Sequence, residues 1–348
     1  MNPTIRVGVW STGRISRSAI RAISANNALE LVTVYTHSKD RRGVDAGELS
    51  GSGPCGVITG GREQFFAAQP DCALYLRDGF DIEEVAALLN AGINVITTRS
   101  EFFDAFTMDP AQKEPLVAAC SAGQASLYAT GSSPGFSTAL LPLVLTTLSS
   151  RPTRIIIDEF ADIAASTTPS MITDVMGFGR PCPEAFDPRG AAHMTQGFQP
   201  ALAGLAHALG TQVIETTASG SYAATAVDVP LADGQVLKAG TLGAQRISLL
   251  ARCEHLVIEF NPHWFCSRTL EPNWETRDNG WRIQVEGDTP VDVSVAFPQG
   301  PQSFADQMSG LTAHPAVNAI SFVCSAPAGI IDATSRHIPA PHYNAINA

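Results

Sequence analysis

Through the N-terminal third of the chain, short apolar runs alternate with helical patterns, and few folds can absorb that rhythm. "TIRVGVW" reads as a strand, and "RISRSAIRAISA" places Ile15, Ala19, Ile20 and Ile23 on one helical face. "LELVTVY" and "DCALYLRD" are the second and third strands, and "IEEVAALLNAG" is a helix that Gly92 should end. "INVITT" is a fourth strand, "AQKEPLVAACSAG" a helix that Gly123 should end, and "ASLYAT" a fifth strand. Strands separated by helices cannot pair as hairpins. They need right-handed crossovers, which build a parallel sheet covered on both faces.

After Gly135 the rhythm changes. The helix "STALLPLVLTTLSS" leads into "TRIIIDEFADIA", a longer strand with Arg154, Ile156, Asp158 and Phe160 on one face. A helix is expected near "HMTQGFQPALAGLAHALG", followed by the extended runs "TQVIETTASGSY", "GTLGAQRISLLARCE", "HLVIEFNPHWFC", "GWRIQVEG" and "VDVSVAF". Strands in succession without long helices between them predict a mostly antiparallel sheet. "AVNAISFVCSA" closes the pattern as a helix. At 348 residues two lobes are expected. The fold class is therefore α/β. A Rossmann-type parallel-sheet lobe spans 1–133 and is completed by 302–335. An α+β lobe for substrate binding and dimerisation, with a large mostly antiparallel sheet, spans 134–301.

Composition excludes several functions. The net charge of −11 comes with no long basic run, which argues against nucleic-acid and anionic-membrane partners. Seven scattered cysteines without a Cys-x-x-Cys pair argue against a disulfide framework or a zinc knuckle, and no metal site is expected. The first strand begins within five residues of the N-terminus, leaving no room for a signal peptide, and "STALLPLVLTTL" is too short to span a bilayer. A cytoplasmic protein is expected.

The turn after the first strand reads "VGVWSTGRISR". In a dinucleotide-binding fingerprint, glycines serve the tight turn, the approach of backbone to pyrophosphate, and helix–strand packing. Ser11, Gly13 and Ser16 stand at those positions, so the central glycine is kept and two are replaced. Serine is small, and its hydroxyl can bond a phosphate at a helix N-terminus. Its place in the first βα unit makes this a cofactor loop, with Ser11, Thr12, Gly13, Arg14 and Ile15 around the pyrophosphate. Past the second strand, "VYTHSKDRRG" has no acid before Asp40 to bond a ribose 2′-hydroxyl. Thr36, His37, Ser38, Lys39, Arg41 and Arg42 offer donors to a 2′-phosphate instead, so NADP is preferred and NAD tolerated. Thr98, Gly131 and Asn318 complete the expected cofactor contacts.

Ligands of open α/β sheets lie beyond the carboxyl ends of the strands. "TTRSEFFDAF" and "ATGSSPGF" leave those ends after strands four and five. Glu101 is the acid nearest its strand, and its neighbours Phe102 and Phe103 should desolvate it, raise its pKa and make it a proton-exchanging group. Ser132, Ser133, Phe136, Ile156, Phe160, Met171 and Met176 are candidate pocket residues. His193, His207, His255, His263 and His314 lack metal-ligand spacing or a nearby nucleophile and read as structural. "GSSPG" lacks the setting of a nucleophile elbow.

"RRGVDAGELSG", "LNAGINVITTRSEF", "ATGSSPGF", "DEFADIAASTTPSMITDVMGFGRP", "WETRDNGWRIQVEGDTP" and "TAHPAVNAISFVCSAPAGI" together resemble the dihydrodipicolinate-reductase-like NAD(P) oxidoreductases. The match is closest to the group holding 2,4-diaminopentanoate dehydrogenase and the native amine dehydrogenases, and it runs from about Ile5 to Ile331. The resemblance implies a Rossmann lobe with an α+β lobe, a homodimer, bound NAD(P)H, and a carboxylate at Glu101 that activates ammonia for attack on a carbonyl. "EFADIAAS" lacks the His-His-x-x-Lys motif of true dihydrodipicolinate reductases, and "TTRSEF" lacks the lysine of related sugar oxidoreductases. The expected activity is reversible reductive amination of a ketone or aldehyde. Two alternatives are a dehydrogenase of carbonyls or alcohols and an NADP-binding protein without turnover.

Overall fold

The computed structural model describes residues 4–187, 192, 196–298, 300 and 303–334. His193 lies outside the described residues. The described residues form two compact units, one from residues up to 136 together with 308–334, the other within 137–307.

The first unit runs β1 (Ile5–Trp10), α1 (Arg14–Ser24), β2 (Leu29–Tyr35), α2 (Ala46–Ser50), β3 (Thr59–Gly60), α3 (Arg62–Ala67), β4 (Cys72–Tyr75), α4 (Ile82–Asn90), β5 (Asn94–Thr97), α5 (Pro110–Gly123) and β6 (Ser126–Ala129). The second contains α6 (Leu141–Thr146), β7 (Pro152–Asp162), α7 (Ile163–Ser166), α8 (Gln199–Ala208), β8 (Val213–Thr225), β9 (Val229–Pro230), β10 (Val236–Leu237), β11 (Leu242–Cys253), β12 (Val257–Phe265), β13 (Leu270–Glu271), β14 (Gly280–Gly287) and β15 (Val291–Ala296). The chain then continues through α9 (Phe304–Asn318), α10 (Ile320–Ser325) and β16 (Gly329–Ile331).

In the first unit seven strands pair in the order β16-β6-β5-β4-β1-β2-β3, all parallel. The five expected strands are present, and β3 and β16 are added at the edges. Neither carries an apolar run long enough for periodicity to register. Strand order reverses between β1 and β4, which opens a crevice at their carboxyl ends. β4 and β6 are buried along their whole length, as strands covered by helices on both faces must be.

Trp10, fully buried at the end of β1, packs on Tyr35 and Phe65 at 4.2 and 4.7 Å between ring centres. Its indole N–H reaches Glu84 Oε2 at 3.3 Å, which also accepts from the Tyr75 hydroxyl (2.9 Å) and Arg77 Nη1 (2.7 Å). A buried carboxylate is tolerated there because three donors replace its water.

One expected helix stop is corrected. Gly92, at φ +79°, ends α4 as expected, but Gly123 remains helical and Gln124, at φ +53°, takes the left-handed position. Gly123 answers to packing instead: a Cβ there would overlap the carbonyl oxygen of Leu89.

The second unit's sheet has the order β13-β8-β11-β12-β7-β14-β15, with β7 and β12 parallel and the other pairs antiparallel. Leu143 of α6 and Leu202 and Leu205 of α8 pack on Ile155, Ile157, Phe260 and Ile283, covering one face. The period of two then places Arg154, Ile156, Asp158 and Phe160 on the opposite face. The expected closing helix is corrected to two: α9 runs through Gly310 and Pro315 to Asn318, and α10 begins at Ile320 after a break at Ala319. All seven cysteines are free thiols. Among the described residues no helix is long and apolar enough to cross a membrane.

Candidate functional site

The turn after β1 is built by the two serines that replace glycines. Ser11 sits at φ +150°, a conformation side chains rarely adopt. Its Oγ lies 2.6 Å from Ser16 Oγ and donates to the Leu76 carbonyl at 3.1 Å. The expected hydroxyl–phosphate bond is thereby corrected: both hydroxyls turn inward and brace the loop. What faces outward is backbone. Gly13 caps α1 with no side-chain bond and no acid in the first turn, and a Cβ built on it would meet nothing within 4 Å. The amides of Arg14, Ile15 and Ser16 have no partner within the helix by its geometry. Three amides at a helix start, free of carboxylates and open at the central glycine, fit the pyrophosphate of a dinucleotide.

The residues after β2 gather beside this loop and divide into two sets. Thr12 and Thr36 hydroxyls meet at 3.1 Å, and Arg41 Nη1 donates to Thr12 O (2.9 Å) and Oγ1 (3.2 Å). His37 Nδ1 contacts the Tyr35 hydroxyl at 3.1 Å, and burial, then Arg77, push its pKa below the usual value. Arg41 and His37 are thus committed to protein partners. Ser38 opens the short turn Lys39–Arg41, and Lys39 and Arg42 project from it exposed.

Past β5, Glu101 lies on a single turn, Ser100–Phe102. The expected desolvation by Phe102 and Phe103 is corrected by the geometry. Both rings are buried, Phe102 packing edge-on against Phe80 at 5.2 Å, while the carboxylate pairs with a residue the sequence did not single out. Arg99 Nη2 lies 2.6 Å from Glu101 Oε1. Oε2 is buried with no hydrogen-bond partner among the described residues. Only the i, i+2 spacing within "TRSEF" hinted at this pair.

The loop after β6 packs against the loop after β5. Thr130 N donates to Thr97 O at 2.9 Å, and a Cβ on Gly131 would stand 3.8 Å from Thr98 Cβ. Gly135, at φ +135°, leaves room for Phe103, whose ring tip would lie 3.3 Å from a Cβ there. Ser132 Oγ meets Thr312 Oγ1 at 2.8 Å, and Ser133 Oγ is buried without a partner among the described residues. Thr98, Glu101, Gly131, Ser132 and Ser133 therefore lie on two adjoining loops. Phe136 is 40% exposed, and Asn318 is exposed at the end of α9.

In the second unit, Phe160 lines a cavity of about 570 Å³ on the uncovered sheet face, with Asp158, Arg246, Asn261, His263 and Arg277. Ile156 shares that face but does not line the cavity. Met176 is partly buried against an apolar core, and its backbone carbonyl accepts from Gln245 at 2.7 Å. Met171 is half-buried in the turn before it. His263, read as merely structural, stacks on Phe160 at 4.8 Å, and its pKa is pushed down to about 4 by burial and then Arg246 and Arg277. Its signal was parity: His263 pairs in register with Phe160 on the neighbouring strand.

No family model matches the chain. It is 28% identical over 346 residues to an amine dehydrogenase from Streptomyces virginiae, covering 93% of this chain and 94% of the relative. Among solved structures, it resembles an amine dehydrogenase from Mycobacterium smegmatis with a TM-score of 0.77 at 18% identity, over 97% of this chain and 99% of that one. GenD2 from gentamicin A biosynthesis, solved in complex with NAD, matches at a TM-score of 0.50 and 14% identity, over 96% and 91%. The chain is thus similar in sequence, along nearly its whole length, to an amine dehydrogenase, and it shares its fold with a solved amine dehydrogenase and with GenD2, solved in complex with NAD.

Proposed function

We propose that this protein is an NAD(P)-dependent dehydrogenase, and specifically an amine dehydrogenase that reversibly converts a ketone or aldehyde and ammonia to an amine. The observation that carries the reading is Glu101: one oxygen is anchored on Arg99, and the other is buried and unpartnered beside the β6 loop. The similarity to the Streptomyces virginiae amine dehydrogenase supports it. The wider dihydrodipicolinate-reductase-like grouping rests on the sequence segments alone.

A nicotinamide dinucleotide, when bound, supplies reversible two-electron chemistry. The backbone from Ser11 to Ile15 would hold its pyrophosphate, and Thr98, Gly131 and Asn318 are proposed for its other contacts. Oε2 of Glu101 would accept an N–H of ammonia and take its proton as the C–N bond forms. That proton passes to the carbonyl oxygen to give a carbinolamine hydroxyl, and a second proton moved from the nitrogen to that hydroxyl by the same carboxylate lets it leave as water, so an imine remains. Arg99 fixes the carboxylate's orientation. Ser132, Ser133 and Phe136 are proposed as substrate-contacting residues of the first unit, and Ile156, Phe160, Met171 and Met176 are separately proposed on the second.

The test is NADPH oxidation across a panel of ketones and aldehydes with and without ammonium. Oxidation that requires ammonium supports the reading. Equal oxidation without it indicates a carbonyl reductase, and tight cofactor binding with no turnover indicates a binding protein.

We also propose a homodimer through the uncovered face of the second unit's sheet. Among the described residues the apolar helices pack on the other face of this sheet, and a sheet face of this size needs cover, which a twofold-related second copy would supply. Light scattering should give the mass of two chains. The mass of one chain at every concentration would count against it.

A further inference from the structure

The cofactor-facing edge of the first unit holds more positive charge than the β2 turn alone supplies. β3 ends at Gly60, on the same carboxyl edge as β2, and Arg62 follows at the start of α3. A cavity of about 570 Å³ there is lined by Arg42, Thr59, Arg62, Glu63 and Gln64. The Arg42 guanidinium carbon lies 3.9 Å from where a Cβ on Gly61 would stand, which sets it against the residue preceding Arg62. Arg62 rests its guanidinium over the Phe66 ring at 5.5 Å, a contact that orients the side chain and leaves its N–H groups unused. Among the described residues neither arginine has an ion pair, and Gln64 turns its side-chain oxygen to the Gly61 amide at 2.7 Å. Both arginines act electrostatically on Tyr35, the last residue of β2.

Arg41 and His37 are already held by Thr12 and Tyr35. Two unpaired guanidinium groups at one cavity, on the edge where an adenosine ribose sits in this fold, match a phosphate monoester. We propose that Arg42 and Arg62 together clamp the 2′-phosphate of NADP, making Arg62 a cofactor-specificity residue contributed from outside the β2 turn. The assignment rests on the dinucleotide reading above. Glu63 also lines the cavity, so both guanidinium groups are needed to outweigh its repulsion of a phosphate.

Calorimetric binding of NADP⁺, NAD⁺ and adenosine 2′,5′-bisphosphate to the purified chain tests this without turnover. Arg62→Gln should weaken NADP⁺ and the bisphosphate by roughly tenfold or more, as the loss of a charge-assisted bond does, while NAD⁺ changes less than about twofold. Arg62→Lys should restore part of the loss, since charge returns without the fork. Arg41→Gln should weaken both dinucleotides, because it loosens the Thr12 loop. An Arg62→Gln variant that affects NAD⁺ and NADP⁺ equally, or neither, overturns the clamp. Wild-type preference for NAD⁺ overturns it too while leaving the dinucleotide site intact. Failure to bind any of the three sinks the dinucleotide reading itself.

Discussion

Glu101→Gln is expected to lower ammonia-dependent turnover by about 10²–10⁴-fold, the usual contribution of a positioned acid or base. The substitution keeps shape, and the amide oxygen can still accept from Arg99 in place of Oε1. The change falls on the other atom. Oε2, an acceptor buried without a partner, becomes an NH₂ group that donates and cannot take a proton from ammonia. Half-saturation for ammonium should therefore rise along with the loss in turnover. Cofactor binding and thermal unfolding should stay close to wild type, since the phosphate loop and the buried Phe102 and Phe103 are untouched. Steady-state kinetics in NADPH, ammonium and a carbonyl substrate, with a melting curve as control, would decide it. A variant that keeps most of its activity makes Glu101 a bystander and moves proton transfer to another group.

Gly13→Asp should separate folding from cofactor binding more sharply than any other single change. At φ −71° and ψ −177° the position suits any residue, and a Cβ there meets nothing within 4 Å. Gly13 is also the N-cap of α1, where aspartate is among the favoured residues and can accept from the first helical amides. The fold should therefore be as stable as wild type, or more stable by a few tenths of a kcal/mol, the usual gap between Gly and Asp at this position. Dinucleotide affinity should nevertheless fall by roughly two orders of magnitude or more. The new carboxylate takes up the space and the amides that a pyrophosphate requires, and repels its charge. Calorimetry with NADP⁺ and NAD⁺ alongside thermal melting reads both effects. Unchanged affinity for both dinucleotides would remove the phosphate loop from Ser11 to Ile15.

The strand–helix alternation by itself determined the parallel sheet, because its crossovers admit little else, and the period of two determined which face of β7 carries Arg154, Ile156, Asp158 and Phe160. That the turn after β1 and Glu101 both lie past carboxyl ends of the parallel strands followed from the same rhythm, and ligands of such sheets bind at those ends. Pairing and direction were decided only in three dimensions. Ser11 and Ser16 lie five positions apart in a pattern that suggests two phosphate donors, yet the turn brings their hydroxyls onto each other and leaves the proposed phosphate role to backbone. Phe102 and Phe103 flank Glu101 in sequence, but a single helical turn sends their rings inward and swings the carboxylate to Arg99. Arg62 is distant from the β2 turn along the chain and joins Arg42 only because β3, two residues long and silent in any periodicity, pairs with β2. His263 meets Phe160 because β12 runs parallel to β7, a choice made by how the intervening strands pack. Local pattern reports burial and direction along one element; which side chains from different elements meet is set by register and packing.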